Sequence, residues 1–203
     1  MQPTSLDYLN QIAPKNQRRT PLNLTGMRLW LAIGALAVVV IIILSIVMTS
    51  VAAHRRAPLE TLTARLSTTA TIVTAATPNI SDSSLSATNS TLSLTLTQLN
   101  KDIVTPMKNN GVDVNKLSKS ISAQETAAGT KISNDLTDAK LNAVFDTHYA
   151  TDMNYQLSIT MSLMQQIYNH TNSKSLKTFL QAAYNDIAPA QKAFETFSQK
   201  TDN

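Results

Sequence analysis

Hydrophobic and polar positions divide the chain into two regimes. From residue 29 to residue 53 no charged side chain occurs, and Ala35 to Leu44 is unbroken hydrocarbon. A helix rises 1.5 Å per residue, so about 20 residues cross a bilayer core of about 30 Å. The run therefore predicts one transmembrane helix over 29–53. In hydrocarbon a lone segment satisfies its own backbone hydrogen bonds only as a helix. Trp30 beside Arg28 suits an interfacial anchor.

Beyond residue 57 the continuous run gives way to spacings of three and four. Leu59, Leu62, Leu66, Val73 and Ala76 predict an amphipathic helix with Pro58 in its first turn, ending before Thr77-Pro78-Asn79. Ser81 to Ser84 offer capping side chains, and Leu85, Leu92, Leu96, Leu99 and Ile103 form the stripe of a second helix that should stop between Pro106 and Gly111. From Gly111 to Asp135 the pattern weakens. Val114, Leu117 and Ile121 predict only one short helix inside a polar connection, where binding is expected to concentrate.

Periodicity returns with Leu141, Phe145, Tyr149, Met153, Leu163 or Met164, and Ile167, a third helix reaching His170. Asn172 and Ser173 can cap a fourth, whose Leu176, Leu180, Ala183, Ile187, Ala190, Phe194 and Phe197 follow the steps of an antiparallel seam. Pro189 inside it is expected to kink the helix. The expected fold is all-α: a basic cytoplasmic tail at 1–28, a transmembrane helix at 29–53, and an up-down four-helix bundle at 58–203.

Charge supports this division. The net +4 of the 203 residues is concentrated before residue 58, where Lys15, Arg18, Arg19, Arg28, Arg55 and Arg56 face Asp7 alone. That basicity flanks the apolar run, where it sets topology and meets anionic lipid headgroups, so nucleic-acid binding is not expected. A short tail is retained and a long domain translocated, which places the N-terminus inside and the bundle outside the cell membrane. Two alternatives compete for the leader. Ser50-Val51-Ala52 could end a cleaved signal peptide, but the run is long for one and Arg55 and Arg56 follow the cut. Gly26-Met27 could mark a prepilin site, but the early acidic residue of such helices is missing.

Candidate chemistry is sparse. The absence of cysteine excludes disulfides, thiolate metal sites and cysteine nucleophiles. A bundle dinuclear centre needs Glu and Glu-x-x-His ligands on facing helices, whereas Glu60, Glu125 and Glu195 stand without any Glu-x-x-His. Asp146, His148 and Asp152 could form a weak surface metal contact, although acidic residues at a helix start also answer the helix dipole. Tyr149, Tyr155, Tyr168 and Tyr184 read as core or rim packing. No phosphate loop, nucleophile elbow, zinc-protease helix or calcium loop occurs. The sequons at Asn79, Asn89 and Asn169 read as chance in an Asn- and Thr-rich chain. No catalytic, cofactor-binding or metal-binding residues are expected, and no cofactor.

Phe145-Asp146-Thr147-His148-Tyr149, followed by a long helix and then Ser175-Leu176-Lys177-Thr178-Phe179-Leu180, resembles the C-terminal half of a bacterial ferritin-like family of helical bundles, itself a domain of unknown function. The resemblance covers Leu141 to Phe197 and implies a four-helix extracytoplasmic domain. It also implies histidines on the helix faces, but residues such as Leu157, Pro189 and Phe194 stand where that family tends to carry them. The opening Ser5-Leu6-Asp7-Tyr8-Leu9-Asn10-Gln11-Ile12-Ala13-Pro14 resembles the leaders of membrane proteins from ultrasmall epibiotic bacteria, which implies a bacterial origin and a cytoplasmic N-terminus.

These observations favour a non-enzymatic, membrane-anchored helical bundle of the cell envelope. Its expected role is structural or partner-binding, with the lipid bilayer and another envelope or membrane protein as partners. The alternatives are a ferritin-like bundle binding a metal or small ligand, and a sensor ectodomain.

Overall fold

The amphipathic stripes become helices in the structure, a computed structural model that describes residues 56–201. The tail and the apolar run at 29–53 lie outside these residues. Among the described residues there is no strand, and no helix is long and apolar enough to cross a membrane. Helix α1 covers 56–76 and ends in a 3-10 turn, Thr77–Asn79. Then follow α2 (Ser83–Asp102), the short α3 (Val104–Asn109), α4 (Lys119–Leu141), α5 (Phe145–His170) and α6 (Lys174–Thr201).

Local chemistry explains most of the boundaries. Asp82 starts α2 by accepting the Leu85 N–H at 2.9 Å, as a capping carboxylate does. Pro106 has no N–H and its ring crowds the carbonyl four residues back, at Asp102, which is where α2 stops and the chain re-forms as α3. The end of α3 is a Schellman motif: Gly111, at φ +76°, donates to Lys108 O, and Val112 donates to Met107 O. The end of α4 repeats that geometry with Ala143 in the left-handed position at φ 59°, its N–H bonded to Lys140 O and the Val144 N–H to Ala139 O. Ser173 Oγ accepts from Leu176 N and opens α6.

Cross-helix bonds set the directions. Asn100 reaches Leu66 O and Asn89 reaches Val73 O, so α2 runs antiparallel to α1. Glu60 accepts from Ser118 N and Arg65 pairs with Glu125, so α4 starts beside the start of α1 and runs parallel to it. Gln191 bonds Asn154, as antiparallel α5 and α6 require. The long helices therefore alternate up and down, and there are five of them among the described residues. The basal end carries the start of α1, α3, the 110–118 connection and the α5–α6 turn. The distal end carries the turns at 77–82 and 142–144.

The predicted stripes supply much of the core, joined by Met107 and Val112 at the basal end and by Ile132 and Leu136 of α4. Leu62, Leu66 and Val73 of α1, Leu92 and Leu96 of α2, and Leu176, Ala183, Ile187 and Phe194 of α6 have essentially no exposed surface. Each large apolar side chain buried this way contributes roughly 1.5–3 kcal/mol. Tyr149 sits among them, stacked on Phe145 and edge-on to Phe194.

Three expectations are corrected. The polar connection at 111–135 is largely helix: α4 begins at Lys119 and is 23 residues long, a fifth long helix in place of a loop. Its inward face reads Glu125, Gly129, Ile132, Leu136, Ala139, so the helical spacing is present but its first two positions are not apolar. Leu141 does not open the third helix. It ends α4 and is 80% exposed, and its four-residue spacing to Phe145 spans a turn. Tyr155, expected in core or rim packing, is exposed at the surface.

Candidate functional site

Asp146, His148 and Asp152 occupy the first two turns of α5, but the structure separates them by role. The Asp146 carboxylate accepts the backbone N–H groups of Ser81 and Asp82, at 3.1 and 2.7 Å. It thereby fastens the turn between α1 and α2 to the start of α5. His148 and Asp152 share one face, and Asp135 and Lys131 of α4 face them. Lys131 and Asp135 pair at 2.7 Å in the open. Burial pushes the Asp152 carboxyl above its ordinary range and Asp135 adds to this, while His148 and Lys131 act in the opposite direction. Among the described residues no group of three or more His, Asp or Glu side chains is placed to hold a metal ion. Asp146 is engaged by the backbone of Ser81 and Asp82, and Asp135 by Lys131.

Two side-chain networks explain the polar residues on the inner faces. Arg65 holds Glu125 through two bonds, Nη2 to Oε1 at 2.8 Å and Nε to Oε2 at 3.2 Å, with the Glu125 side chain only 7% exposed. This fork geometry lets a carboxylate occupy a core position. Asn89, fully buried, donates to Val73 O at 3.3 Å and to Thr77 Oγ1 at 3.0 Å, and its Oδ1 accepts the Tyr149 hydroxyl. Burial raises the Tyr149 phenol well above its ordinary range. The sequon at Asn89 is thus inaccessible to a modifying enzyme, because its amide ties α1, α2 and α5 together.

Two grooves mark the surface. One, of about 940 Å³, lies between α1, α2 and α4 and is lined largely by threonine, serine and alanine. Half of its eight hydroxyls are committed: Thr63, Thr71, Thr74 and Thr97 each donate to the carbonyl four residues back in their own helix. Asn100 and Lys101 also line it, but it holds no charged pair and no nucleophile with a base.

The second groove, of about 480 Å³, follows the seam of α5 and α6. Gln165, Tyr168 and Asn169 line it from one helix and Gln181, Tyr184 and Asn185 from the other. None of these side chains has a hydrogen-bond partner among the described residues, and Lys177 Nζ lies 5.0 Å from the Tyr168 ring centre. Reasoning from single residues passed over this site. The signal is a repeat, Gln-x-x-Tyr-Asn at 165–169 and again at 181–185, with buried Ile167 and Ala183 inside it. Helical periodicity turns the Gln, Tyr and Asn of each copy toward the surface.

No family model, curated protein or solved structure matches the chain.

Proposed function

We propose that this protein is a single-pass, membrane-anchored helical bundle held outside the cytoplasm, with a partner-binding role in the cell envelope and no enzymatic activity. The observation that carries the reading is the uncharged run at 29–53 followed, after two residues, by a helix of a folded bundle. A domain tethered so closely is presented at a bilayer surface. The α5–α6 groove is the face best equipped to receive another envelope protein. Its tyrosines offer broad amphipathic contact and its amides are free to pair, the chemistry in which recognition surfaces are rich. The groove lies near the basal half, within reach of a neighbouring membrane protein. The ferritin-like resemblance supports the bundle but lends no metal chemistry to this reading.

The test is alkaline carbonate extraction and protease protection on cell membranes, with a tag at each end of the chain. The expected result is a chain that resists extraction, with its C-terminal tag digested from outside and its N-terminal tag protected. A chain released by carbonate, or a protected C-terminal tag, overturns the reading. A photo-crosslinker at Tyr168 or Tyr184 should capture one species that is lost on Gln165→Ala with Gln181→Ala. Capture that ignores these substitutions removes the groove from the proposal.

A further inference from the structure

Charge is distributed unevenly along the axis of the bundle. Lys101, Lys108, Lys116, Lys119, Lys174 and Lys177 all lie in the segments that build the basal end, and Arg56 joins them at the start of α1. Against these seven stand three acids, Glu60, Asp102 and Asp113. Each of the three is turned to a neighbouring donor: Glu60 to Ser118 N, Asp102 to Gln98 Nε2, and Asp113 to Asn115 N. None of the six lysines is in an ion pair among the described residues, and all but Lys177 are exposed. The rest of the described domain has the opposite balance, eight acids against five bases. The bundle is therefore a macroscopic dipole with its positive end at the base.

That end is also where the chain enters. Two residues, His54 and Arg55, separate the apolar run from residue 56. Even fully extended, so short a link spans only about 10 Å. If the run spans the bilayer, the basal end lies about one Debye length from the headgroups at physiological salt, roughly 8 Å. The Arg56 guanidinium lies against Gly111, where an added Cβ would be 3.2 Å from its Nη2, so the lysine-bearing 110–118 connection flanks the point of entry.

We propose that the basal end of the bundle docks on anionic lipid headgroups, so that the domain stands on the membrane through its lysines instead of swinging freely on its tether. This rests on the anchored reading above. The occupant is a lipid surface because the patch lies at the end where the tether enters, and because its lysines are not ion-paired; the groove between α1, α2 and α4 that reaches this end is lined by Lys101 alone among them, too little to select one small anion. The acidic distal end is repelled by the same surface, which favours one upright orientation.

The experiment uses the full chain reconstituted in vesicles. The protein has no cysteine, so Asn115→Cys at the base and Ser84→Cys at the distal end each give one labelling site. Energy transfer from the label to a headgroup-labelled lipid is compared between vesicles containing phosphatidylglycerol and wholly zwitterionic ones. The expected result is basal transfer that falls roughly twofold or more in zwitterionic vesicles or in about 1 M salt. Distal transfer should stay low throughout. Lys108→Glu with Lys116→Glu and Lys119→Glu, checked for an unchanged helical spectrum, should bring basal transfer in anionic vesicles down to the zwitterionic level, and Lys192→Glu with Lys200→Glu should not. If the chain stays in the bilayer under carbonate but basal transfer ignores lipid charge, the docking is overturned while the anchor stands, and an acidic protein becomes the partner the patch fits. If carbonate strips the chain from the vesicles, the anchor falls and the docking with it.

Discussion

Removing the Tyr149 hydroxyl tests whether the buried Asn89 network holds three helices in register. Tyr149 and Asn89 are both fully buried, and the hydroxyl is the donor to Asn89 Oδ1. Tyr149→Phe keeps the ring between Phe145 and Phe194 but leaves Oδ1 without a donor in an apolar core. A lost hydrogen bond with an orphaned buried acceptor costs about 1–3 kcal/mol. Asn89→Leu orphans the hydroxyl instead and removes the bonds to Val73 O and Thr77 Oγ1, at a similar or larger cost. The double variant leaves neither orphan. Its loss should therefore fall short of the summed single losses by about 1 kcal/mol or more, since groups in one network couple. The assay is thermal unfolding followed by circular dichroism, where each kcal/mol moves Tm by about 2–4 °C in a chain of this size. Additivity within about 0.5 kcal/mol would refute the coupling and reduce Asn89 to a tolerated polar residue.

Four further outcomes are expected. Ala143→Gly relieves a left-handed residue at the end of α4 and should stabilise the fold by about 0.5–1 kcal/mol, the strain relief exceeding the entropy glycine adds to the unfolded chain; a loss measured by denaturant titration would contradict the strain. Gly129→Ala places a Cβ 2.5 Å from Thr68 Cγ2 and should destabilise by about 1–3 kcal/mol despite alanine's better helix propensity, whereas in a Thr68→Ala background the same change should stabilise. Glu125→Gln leaves Arg65 charged and nearly buried and should cost about 3 kcal/mol, against little change for the exposed Lys131→Gln; equal effects at the two sites would remove the distinction between buried and open pairs. Because the Asp152 carboxyl is raised by burial, its contribution is fully present below the ordinary carboxylate range and is lost as pH rises through the raised value. Asp152→Asn should therefore stabilise at pH 7 and do nothing at pH 3, and a gain at both pH values would assign the effect to packing.

Much of the helical architecture could be read from the amino-acid order, since a stripe repeating every three to four residues can bury itself only as a helix. The seam of α6 and the stripes of α1 and α2 were legible for that reason, as were the Asp82 and Ser173 caps. Breaks in those stripes were legible only as breaks: Thr69 and Asn89 are buried where Leu or Val would continue the pattern. In α4 the substitution went further. Glu125 lies inside because Arg65 of a helix 60 residues earlier neutralises it, and Gly129 lies inside because Thr68 leaves no room for a Cβ. Neither cause is local, so the apolar residues mark only a short helix in a polar connection where a 23-residue helix stands.

The candidate sites divide in the same way. Asp146, His148 and Asp152 stood out by spacing, but only the tertiary structure directed Asp146 to the backbone of Ser81 and Asp82 and away from its neighbours. The paired Gln-x-x-Tyr-Asn segments were present in the sequence and gained meaning when α5 and α6 brought both copies to one groove. The basal charge shows the difference most clearly. Along the chain the lysines are scattered from Lys101 to Lys177 among acids that nearly cancel them, and no local window is strongly basic. Folding gathers the ends of alternating helices at one pole. Periodicity, caps and the apolar run are properties of neighbouring residues and belong to the sequence by itself. The buried polar contacts, the groove and the charged pole depend on residues far apart in the chain, so only the tertiary structure could decide them.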